Sequence, residues 1–258
     1  MAPMNRIGLL TTLAIAALAG LVFAIDPNLD TRISRAFIEM GAIRFGLSID
    51  PSVMMVREFG KSCIAALVAS AALGIIVKLA VPRVRLWMST RAMTFLLLTF
   101  LLGPGVLVNV MMKEHWARSR PVDVVELGGT DKFMPWWDPR GECPANCSFV
   151  SGDAAAAYWT VAAAAVAPPQ WRAVAYGGAL AFGVAASVLR VVVGAHFVSD
   201  VVFSGVLMFL LVWLMHGVMI RWPRTRVTED EAENAVTMFA LRWREAVRDL
   251  LRKPRTDP

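Results

Sequence analysis

Long apolar runs without a single Asp, Glu, Lys or Arg are the feature that most constrains this chain. Each run is close to the roughly 20 residues that an α-helix needs to cross a hydrocarbon core. There are six such runs, at residues 7–25, 62–77, 92–112, 154–171, 173–189 and 201–220. Inside a bilayer the backbone must bond to itself, which favours helices. The sequence predicts an all-α polytopic membrane protein with six transmembrane helices in a bundle.

The composition indicates the same class of protein. Of the 258 residues, 57% are hydrophobic and 18% are charged, whereas about a quarter of the residues of soluble domains are charged. These proportions exclude a disordered chain, a collagen-like protein and a disulfide scaffold. A net charge of +6 would suggest a nucleic-acid partner for a soluble protein. Here the cations border the apolar runs, so we expect the membrane, and no nucleic acid, as their partner.

The first apolar run is either a secretory signal peptide or a retained membrane anchor. A signal peptide has a positively charged start and an apolar stretch of about 7 to 15 residues. Here Arg6 is the only cation before the run, and the run is longer than that. We expect a retained anchor. Cleavage would leave the orientation of the other helices unchanged.

The positions of Lys and Arg predict how the helices cross the membrane. Short cytoplasmic loops are enriched in these residues. Residues 78–91 contain four of them, and Arg221, Arg224 and Arg226 follow the last run. Both termini are therefore predicted to be cytoplasmic.

Two of the three cysteines are close together, in Cys143-Pro-Ala-Asn-Cys147, within a predicted outside loop. An oxidising compartment there would permit a short disulfide. A zinc site is the alternative, but two thiols without further Cys or His nearby make an incomplete one. We expect a disulfide.

A segment between the first two runs, at residues 26–61, has apolar residues at helical spacing. Ile33, Phe37, Ile38 and Ile43 predict a short helix at the membrane interface. Because this segment is predicted to be outside, the helix is a candidate lid over a substrate.

The C-terminal segment, residues 226–258, predicts a cytoplasmic amphipathic helix beyond a membrane domain at residues 1–225. A capping box from Thr228 to Glu231 precedes apolar residues at helical spacing with Arg residues between them. Such a helix can lie on the anionic leaflet or pack against a partner subunit. The sequence does not decide between the two, nor does it define an oligomeric state.

Three clusters of polar residues lie at the ends of predicted spans, and all three are on the outside face. In the first, Lys113 and Arg120 share one face of a helix, a pattern that interfacial anchoring also explains. The second, Ser151-Gly152-Asp153, opens the fourth run. Free N–H groups at a helix start can bind an anion, or Ser151 or Asp153 can be a plain N-cap.

The third cluster contains Arg190, His196 and Asp200. His196 and Asp200 are four residues apart, so on a helix the carboxylate can hold one imidazole nitrogen protonated and leave the other unprotonated. A packing role or a proton relay is the alternative. Ionisable residues in membrane segments are by default functional.

Together the three clusters match the chemistry of phosphoryl transfer. Cations and N–H groups suit the phosphoryl oxygens, and an imidazole can be the in-line nucleophile. Zinc would need three or four converging ligands, and the chain has only three histidines. The residues therefore predict a metal-independent phosphatase site without a cofactor.

The same residues resemble the signature of the type-2 phosphatidic acid phosphatase and haloperoxidase superfamily. That signature is Lys, six residues, Arg-Pro; then Pro-Ser-Gly-His; then Ser-Arg, five residues, His, three residues, Asp. The first part is complete from Lys113 to Pro121, and the third runs from Arg190 to Asp200 with Leu189 in place of Ser. The resemblance implies a six-helix membrane bundle in which His196 forms a phosphohistidine and Asp200 orients it. It also implies a phosphate-binding set of Lys113, Arg120, Ser151, Gly152 and Arg190.

The second part of the signature departs from the family, because Val150-Ser151-Gly152-Asp153 has an aspartate where the family has histidine. The family's histidine protonates the leaving oxygen. An Asp with an ordinary pKa near 3.9 is a poor acid at neutral pH, but a dry site beside an anionic phosphate would raise that pKa. Asp153 is thus either a tuned catalytic acid or assisted by another group. His115 is the other outside histidine.

The segment from Gly128 to Asp153 looks most like bacterial enzymes that remove a phosphate from lipid A. This resemblance implies a bacterial inner (plasma) membrane protein whose active site faces the periplasm and whose substrate is a phospholipid or glycolipid. Undecaprenyl pyrophosphate, phosphatidylglycerol phosphate and phosphatidate are alternative substrates. The alternative class is a non-catalytic lipid-binding or transport protein, but transporters place polar sites near the middle of the membrane, and these clusters are at span ends.

Overall fold

The fold is known from a computed structural model of the chain, which describes residues 5–40, 50–82 and 84–252. Within these ranges the regular structure is helical, with one isolated bridge between Val124 and Asp131 and no strand. The helices are α1 (Arg6–Ile25), α2 (Leu29–Glu39), α3 (Pro51–Ala80), α4 (Thr90–His115), α5 (Gly152–Trp159), α6 (Val161–Val166), α7 (Arg172–Val192), α8 (Val198–Arg221) and α9 (Glu229–Arg252). The predicted all-α class is therefore confirmed for the described residues.

Five of these helices, α1, α3, α4, α7 and α8, are long and apolar enough to cross a membrane. The fourth predicted span differs, because residues 154–171 do not form one long helix. The chain is helical in α5 and α6, with Thr160 between them, and α6 ends before Pro168 and Pro169. The Thr160 hydroxyl donates to the carbonyl of Ala157 at 2.6 Å, and such local bonds compete with the helical pattern.

Although they are short, α5 and α6 form the centre of the bundle. Trp159 is fully buried, and its Nε1–H donates to Oγ1 of Thr99 on α4 at 3.0 Å. Tyr158 lies directly on α7, where a Cβ added to Gly183 would be 2.2 Å from its ring. Only glycine permits this close approach. The helix α5 is thus held in place by its neighbours, among them α4, α7 and α8.

The second span begins earlier than the sequence predicted. The helix α3 starts at Pro51, with Asp50 as N-cap accepting from the Ser52 N–H at 2.8 Å. Residues assigned to a loop, among them Arg57 and Lys61, therefore lie on α3. Pro is favoured at the first helical position and Asp at the N-cap, so this start was encoded locally.

The predicted interfacial helix is present as α2, but it packs onto the protein. Phe37 packs against a buried cluster that includes Ala154 and Val201, and Ile38 packs against Phe197 and its neighbours. Ile43, the fourth residue of that prediction, lies outside the described residues. The helix α2 thus covers the loops that carry the polar motifs.

The C-terminal helix α9 docks on the bundle's own helices α3 and α4. The predicted capping box is confirmed, because Thr228 N–H donates to Glu231 Oε2 at 2.7 Å and Glu231 N–H to Thr228 Oγ1 at 3.2 Å. Glu233 pairs with Lys78, whose side chain is buried. One end of the bundle therefore carries α9 and the basic loops, and the polar motifs lie at the other.

Candidate active site

The three motif clusters come together at one end of the bundle. Lys113 lies near the end of α4, and its Nζ donates to Oδ1 of Asn146 at 2.8 Å. Arg120 donates to the backbone carbonyl of the same Asn146, also at 2.8 Å. The two cations are thus joined through Asn146, which lies outside the three motifs. The predicted shared helix face is wrong, because α4 ends at His115 and Arg120 lies beyond it.

The start of α5 lies directly against Lys113. Ser151 is the buried N-cap, accepting from the Ala154 N–H at 3.4 Å. A Cβ added to Gly152 would be 3.3 Å from Cε and Nζ of Lys113. The first N–H groups of a helix have no partner within it and attract anions. The helix start and the ammonium group therefore border the same place.

His196 lies in the turn between α7 and α8 and is 2% exposed. Its Nδ1 is 2.8 Å from the backbone carbonyl of Ser148. A carbonyl can only accept, so Nδ1 carries the proton and Nε2 has the free lone pair. The pKa of His196 is lowered, chiefly by burial and against the opposing effect of Asp200. The imidazole is thus neutral, as a nucleophile must be.

Asp200 does not orient His196 in the way that the spacing predicted. His196 precedes α8, so the two residues are not one turn apart on a helix, and Asp200 Oδ2 is 3.7 Å from Nδ1. That oxygen accepts instead from the Ser148 hydroxyl at 2.6 Å and from the Phe197 N–H at 2.8 Å. Asp200 therefore fixes the residues on both sides of the imidazole.

A buried charge cluster behind Asp200 was missed in the sequence. Arg118 is fully buried and pairs with Asp200 and with Asp30 of α2, the latter at 2.9 Å. It also donates to Oγ of Ser199 at 2.8 Å and lies over the Phe197 ring at 4.4 Å. Its position between Lys113 and Arg120, inside the first motif, was the available signal. Arg118 links α2, the first motif and α8.

Asp153, in the first turn of α5, faces two guanidinium groups. Its Oδ2 accepts from Nε of Arg57 at 2.7 Å and is 3.3 Å from Nε of Arg190. Burial alone would raise the pKa of Asp153, but the hydrogen bond from Arg57 and the charges of Arg190 and Arg57 outweigh it, so the pKa lies below its usual range. The sequence did not mark Arg57 as the partner of Asp153, and the rise of the pKa expected beside a bound phosphate stays a prediction.

His115, the other outside histidine, is exposed and turned back onto its own helix. Its Nδ1 is 3.1 Å from the carbonyl of Val110 and 3.0 Å from that of Met111. The structure thus gives it no contact with the other site residues. The predicted Cys143–Cys147 disulfide is confirmed, with Cα atoms 5.7 Å apart, and it closes the loop that carries Asn146.

A cavity of about 710 Å³ opens beside the polar cluster, between α3, α5 and α7. Its walls are mostly apolar, and α3 and α7 are both candidate membrane spans. Arg57, Lys61, Asp153 and Arg190 are its charged lining residues. The cavity therefore joins an apolar space between two spans to the polar site.

The assembled groups suit transfer of a phosphoryl group. Three cationic side chains lie close enough to interact electrostatically with one another: Lys113, Arg120 and Arg190. Their positive charges also act on His196 or Asp153. Cations aimed at the charge that develops on phosphoryl oxygens stabilise the transition state. Over the described ranges, no three His, Cys, Asp or Glu residues are grouped as metal ligands would be.

Comparisons with known proteins agree with this chemistry. The family model described as the PAP2 superfamily matches residues 92–224, just over half of the chain. A lipid A 4′-phosphatase of Francisella tularensis subsp. novicida (strain U112) is 29% identical over 219 residues, which cover 84% of this chain and 98% of that protein.

Two further relatives, also named lipid A 4′-phosphatase, match shorter stretches. The one from Rhizobium leguminosarum is 40% identical over 106 residues, covering 41% of this chain and 46% of its own length. The one from Rhizobium etli (strain ATCC 51251 / DSM 11541 / JCM 21823 / NBRC 15573 / CFN 42) is 41% identical over 101 residues, 39% of each chain. No solved structure matches this chain.

Proposed function

Because the chain belongs to the PAP2 superfamily, we propose that it is a membrane lipid phosphatase that hydrolyses a phosphate monoester of lipid A through a phosphohistidine at His196. Three relatives carry the name lipid A 4′-phosphatase, and one of them aligns over 98% of its length. The 4′-phosphate is accordingly the group proposed to be removed, and the lipid oxygen that carries it is the leaving group.

The bond between His196 Nδ1 and the Ser148 carbonyl carries this proposal. It directs the lone pair of Nε2 away from the backbone, at the end of the bundle where Lys113, Arg120 and Arg190 converge. Nε2 attacks phosphorus in line, so that an N–P bond forms while the bond from phosphorus to the lipid oxygen breaks. The leaving oxygen takes a proton, for which Asp153 is the candidate donor.

The second half of the reaction releases phosphate and restores the histidine. Water attacks the phosphohistidine, the N–P bond breaks, and the proton lost by water passes to a base. The carboxylate of Asp153 is the candidate base, since its ionised form is favoured by Arg57 and Arg190. The substrate phosphate, an anion beside Asp153, raises the pKa of that carboxyl and so favours the protonated form needed in the first half.

The apolar cavity supports a lipid rather than a soluble phosphate ester. It lies between α3 and α7 and meets the site at Asp153 and Arg190. Ligand pockets of about 300 to 1,000 Å³ are typical of sites that bury most of a ligand's surface. A lipid in the membrane can therefore bring its acyl part along α3 and α7 while its phosphate reaches His196.

The proposed setting is the bacterial inner membrane, with both termini cytoplasmic and the site facing the periplasm. The basic loops lie at the end of the bundle opposite to the site, as the positive-inside rule requires. In this proposal residues 154–171, the fourth predicted run, cross the membrane as well and bring the number of spans to six. Residues 1–225 form the membrane phosphatase domain, and residues 226–258 form a cytoplasmic tail.

The test is phosphate release by the purified chain in detergent with EDTA, given lipid A, undecaprenyl pyrophosphate, phosphatidylglycerol phosphate and phosphatidate separately. We expect the highest kcat/KM for lipid A and, by phosphorus NMR, loss of the 4′-phosphate. His115→Gln is the matched control, because His115 faces away from the site. A preference for another lipid would reassign the substrate. Phosphate release from none of the four lipids would refute the proposed phosphatase activity.

A further inference from the structure

Asp153 occupies the position at which the family signature has a histidine, and it forms an ion pair with Arg57. We propose that Arg57 is a positioning residue whose charge compensates Asp153 and thereby lets the site bind a phosphate anion. This inference rests on the proposed phosphatase function but adds a residue that lies outside the three motifs.

Arg57 and Asp153 are far apart in the sequence and meet only in the folded protein. Arg57 lies near the start of α3, 96 residues before Asp153, and Nε donates to Oδ2 at 2.7 Å. Nη1 of Arg57 is also 3.3 Å from Oε1 of Glu58. Its side chain is 35% exposed and that of Asp153 is 25% exposed. The pair is thus partly shielded from water, where charges interact more strongly than at the surface.

The need for compensation follows from the charge at position 153. Histidine in its neutral form adds no charge to the site, whereas the ionised carboxylate of Asp153 adds one negative charge directly after the anion cradle of Ser151 and Gly152. A phosphate bound there would be repelled by that carboxylate. Arg57 brings the pair to neutrality, and the other cations remain available for the phosphoryl oxygens.

The other groups around Asp153 do not take over this task. Arg190 of α7 approaches the same oxygen at 3.3 Å, and Lys113 of α4 and His196 also act electrostatically on Asp153 or experience its charge. Lys113 and Arg190 belong to the phosphate-binding motifs, so a bound phosphate would share their charge. Arg57 is the cation from outside those motifs that bonds directly to Asp153 among the described residues.

The location of Arg57 connects this compensation with the lipid. It lines the cavity together with Asp153 and Arg190, at the point where apolar walls give way to the polar site. The compensating charge therefore borders the path proposed for the substrate.

A double-mutant comparison with inorganic phosphate tests the inference on the full chain in detergent. Arg57→Gln should weaken phosphate binding, measured by calorimetry, by about 10-fold, because an uncompensated carboxylate then faces the anion. In an Asp153→Asn background, which removes the charge, the same change should weaken binding by less than about twofold. Arg57→Lys should restore much of the loss, because it restores the charge without the planar donor group.

The matched control is Lys61→Gln. Lys61 lies one turn further along α3, lines the same cavity and pairs with Glu58. It should leave phosphate binding unchanged in both backgrounds. Thermal unfolding of each variant identifies misfolded protein, and Asp153→His provides a second background without a fixed negative charge.

Equal weakening by Arg57→Gln in both backgrounds would overturn the inference, and so would wild-type protein that binds no phosphate. With substrate, a compensating role predicts that Arg57→Gln raises KM more than it lowers kcat, because the loss lies in binding the phosphate. Binding and coupling as expected without any lipid phosphate release would refute the proposed function and leave the role of Arg57 in phosphate binding intact.

Discussion

Arg118 binds Asp200 where both side chains are fully removed from solvent. Asp30, buried on α2, bonds to the other side of the same guanidinium and to the backbone N–H of Ser199. Buried charges are stable only when they are paired. The carboxylate of Asp200, which fixes the histidine turn, is therefore held by Arg118, and Arg118 is held in turn by Asp30, 88 residues away in the sequence.

Replacement of Asp30 by Asn should destabilise the protein by about 1 to 3 kcal/mol, because an amide cannot accept all the buried bonds that the carboxylate accepts from Arg118 and Ser199. The measurement is thermal unfolding in detergent. Arg32→Gln, on the same helix, is the control: Arg32 pairs with Asp26 in an exposed position, and such pairs contribute about 1 kcal/mol or less. Similar losses for the two variants would show that the buried cluster has no special role.

Replacement of His196 by Ala should abolish turnover while phosphate still binds, since the cations remain but no covalent intermediate can form. Wild-type enzyme quenched with labelled substrate should carry label that is labile in acid and stable in base, as phosphohistidine is. Acid-stable label at Ser151 would instead assign the nucleophile to that serine.

Asp153→Asn separates a catalytic acid from a residue that only pairs with Arg57 and Arg190. If Asp153 donates the proton, the rate should fall by about 10²- to 10⁴-fold, because Asn keeps the shape of the side chain but has no acidic proton. An Asn variant with wild-type kcat and an unchanged pH profile would show that the proton comes from elsewhere.

The pH profile of the wild-type enzyme carries a further expectation for Asp153. A catalytic acid must be protonated, so activity falls as the pH rises through its pKa. The pKa of Asp153 is lowered by Arg57 and Arg190, which places the alkaline limb of kcat/KM, a property of the free enzyme, at acid pH. The limb of kcat should lie at higher pH, because the bound phosphate raises the pKa. Asp153→His should move both limbs upward.

The orientation in the membrane is tested by reporter fusions. A reporter that is active in the cytoplasm should work when fused after Arg221, and one inserted between Asp131 and Asp138 should report from the periplasm. The opposite pattern would place the site in the cytoplasm.

The sequence by itself determined the membrane class and the residues of the three motifs. Runs of apolar residues and the spacing from Lys113 to Arg120 or from Arg190 to Asp200 are local properties, so they are legible along the chain. The capping box at Thr228 and the Cys143–Cys147 disulfide were foreseen for the same reason: both partners lie within four residues of each other.

Only the tertiary structure decided how the candidate catalytic groups are held. Nδ1 of His196 bonds to a backbone carbonyl, and because every residue has one, no residue type marks it in the sequence. Arg57 and Asp30 reach partners 96 and 88 residues away, and no periodicity encodes such pairs.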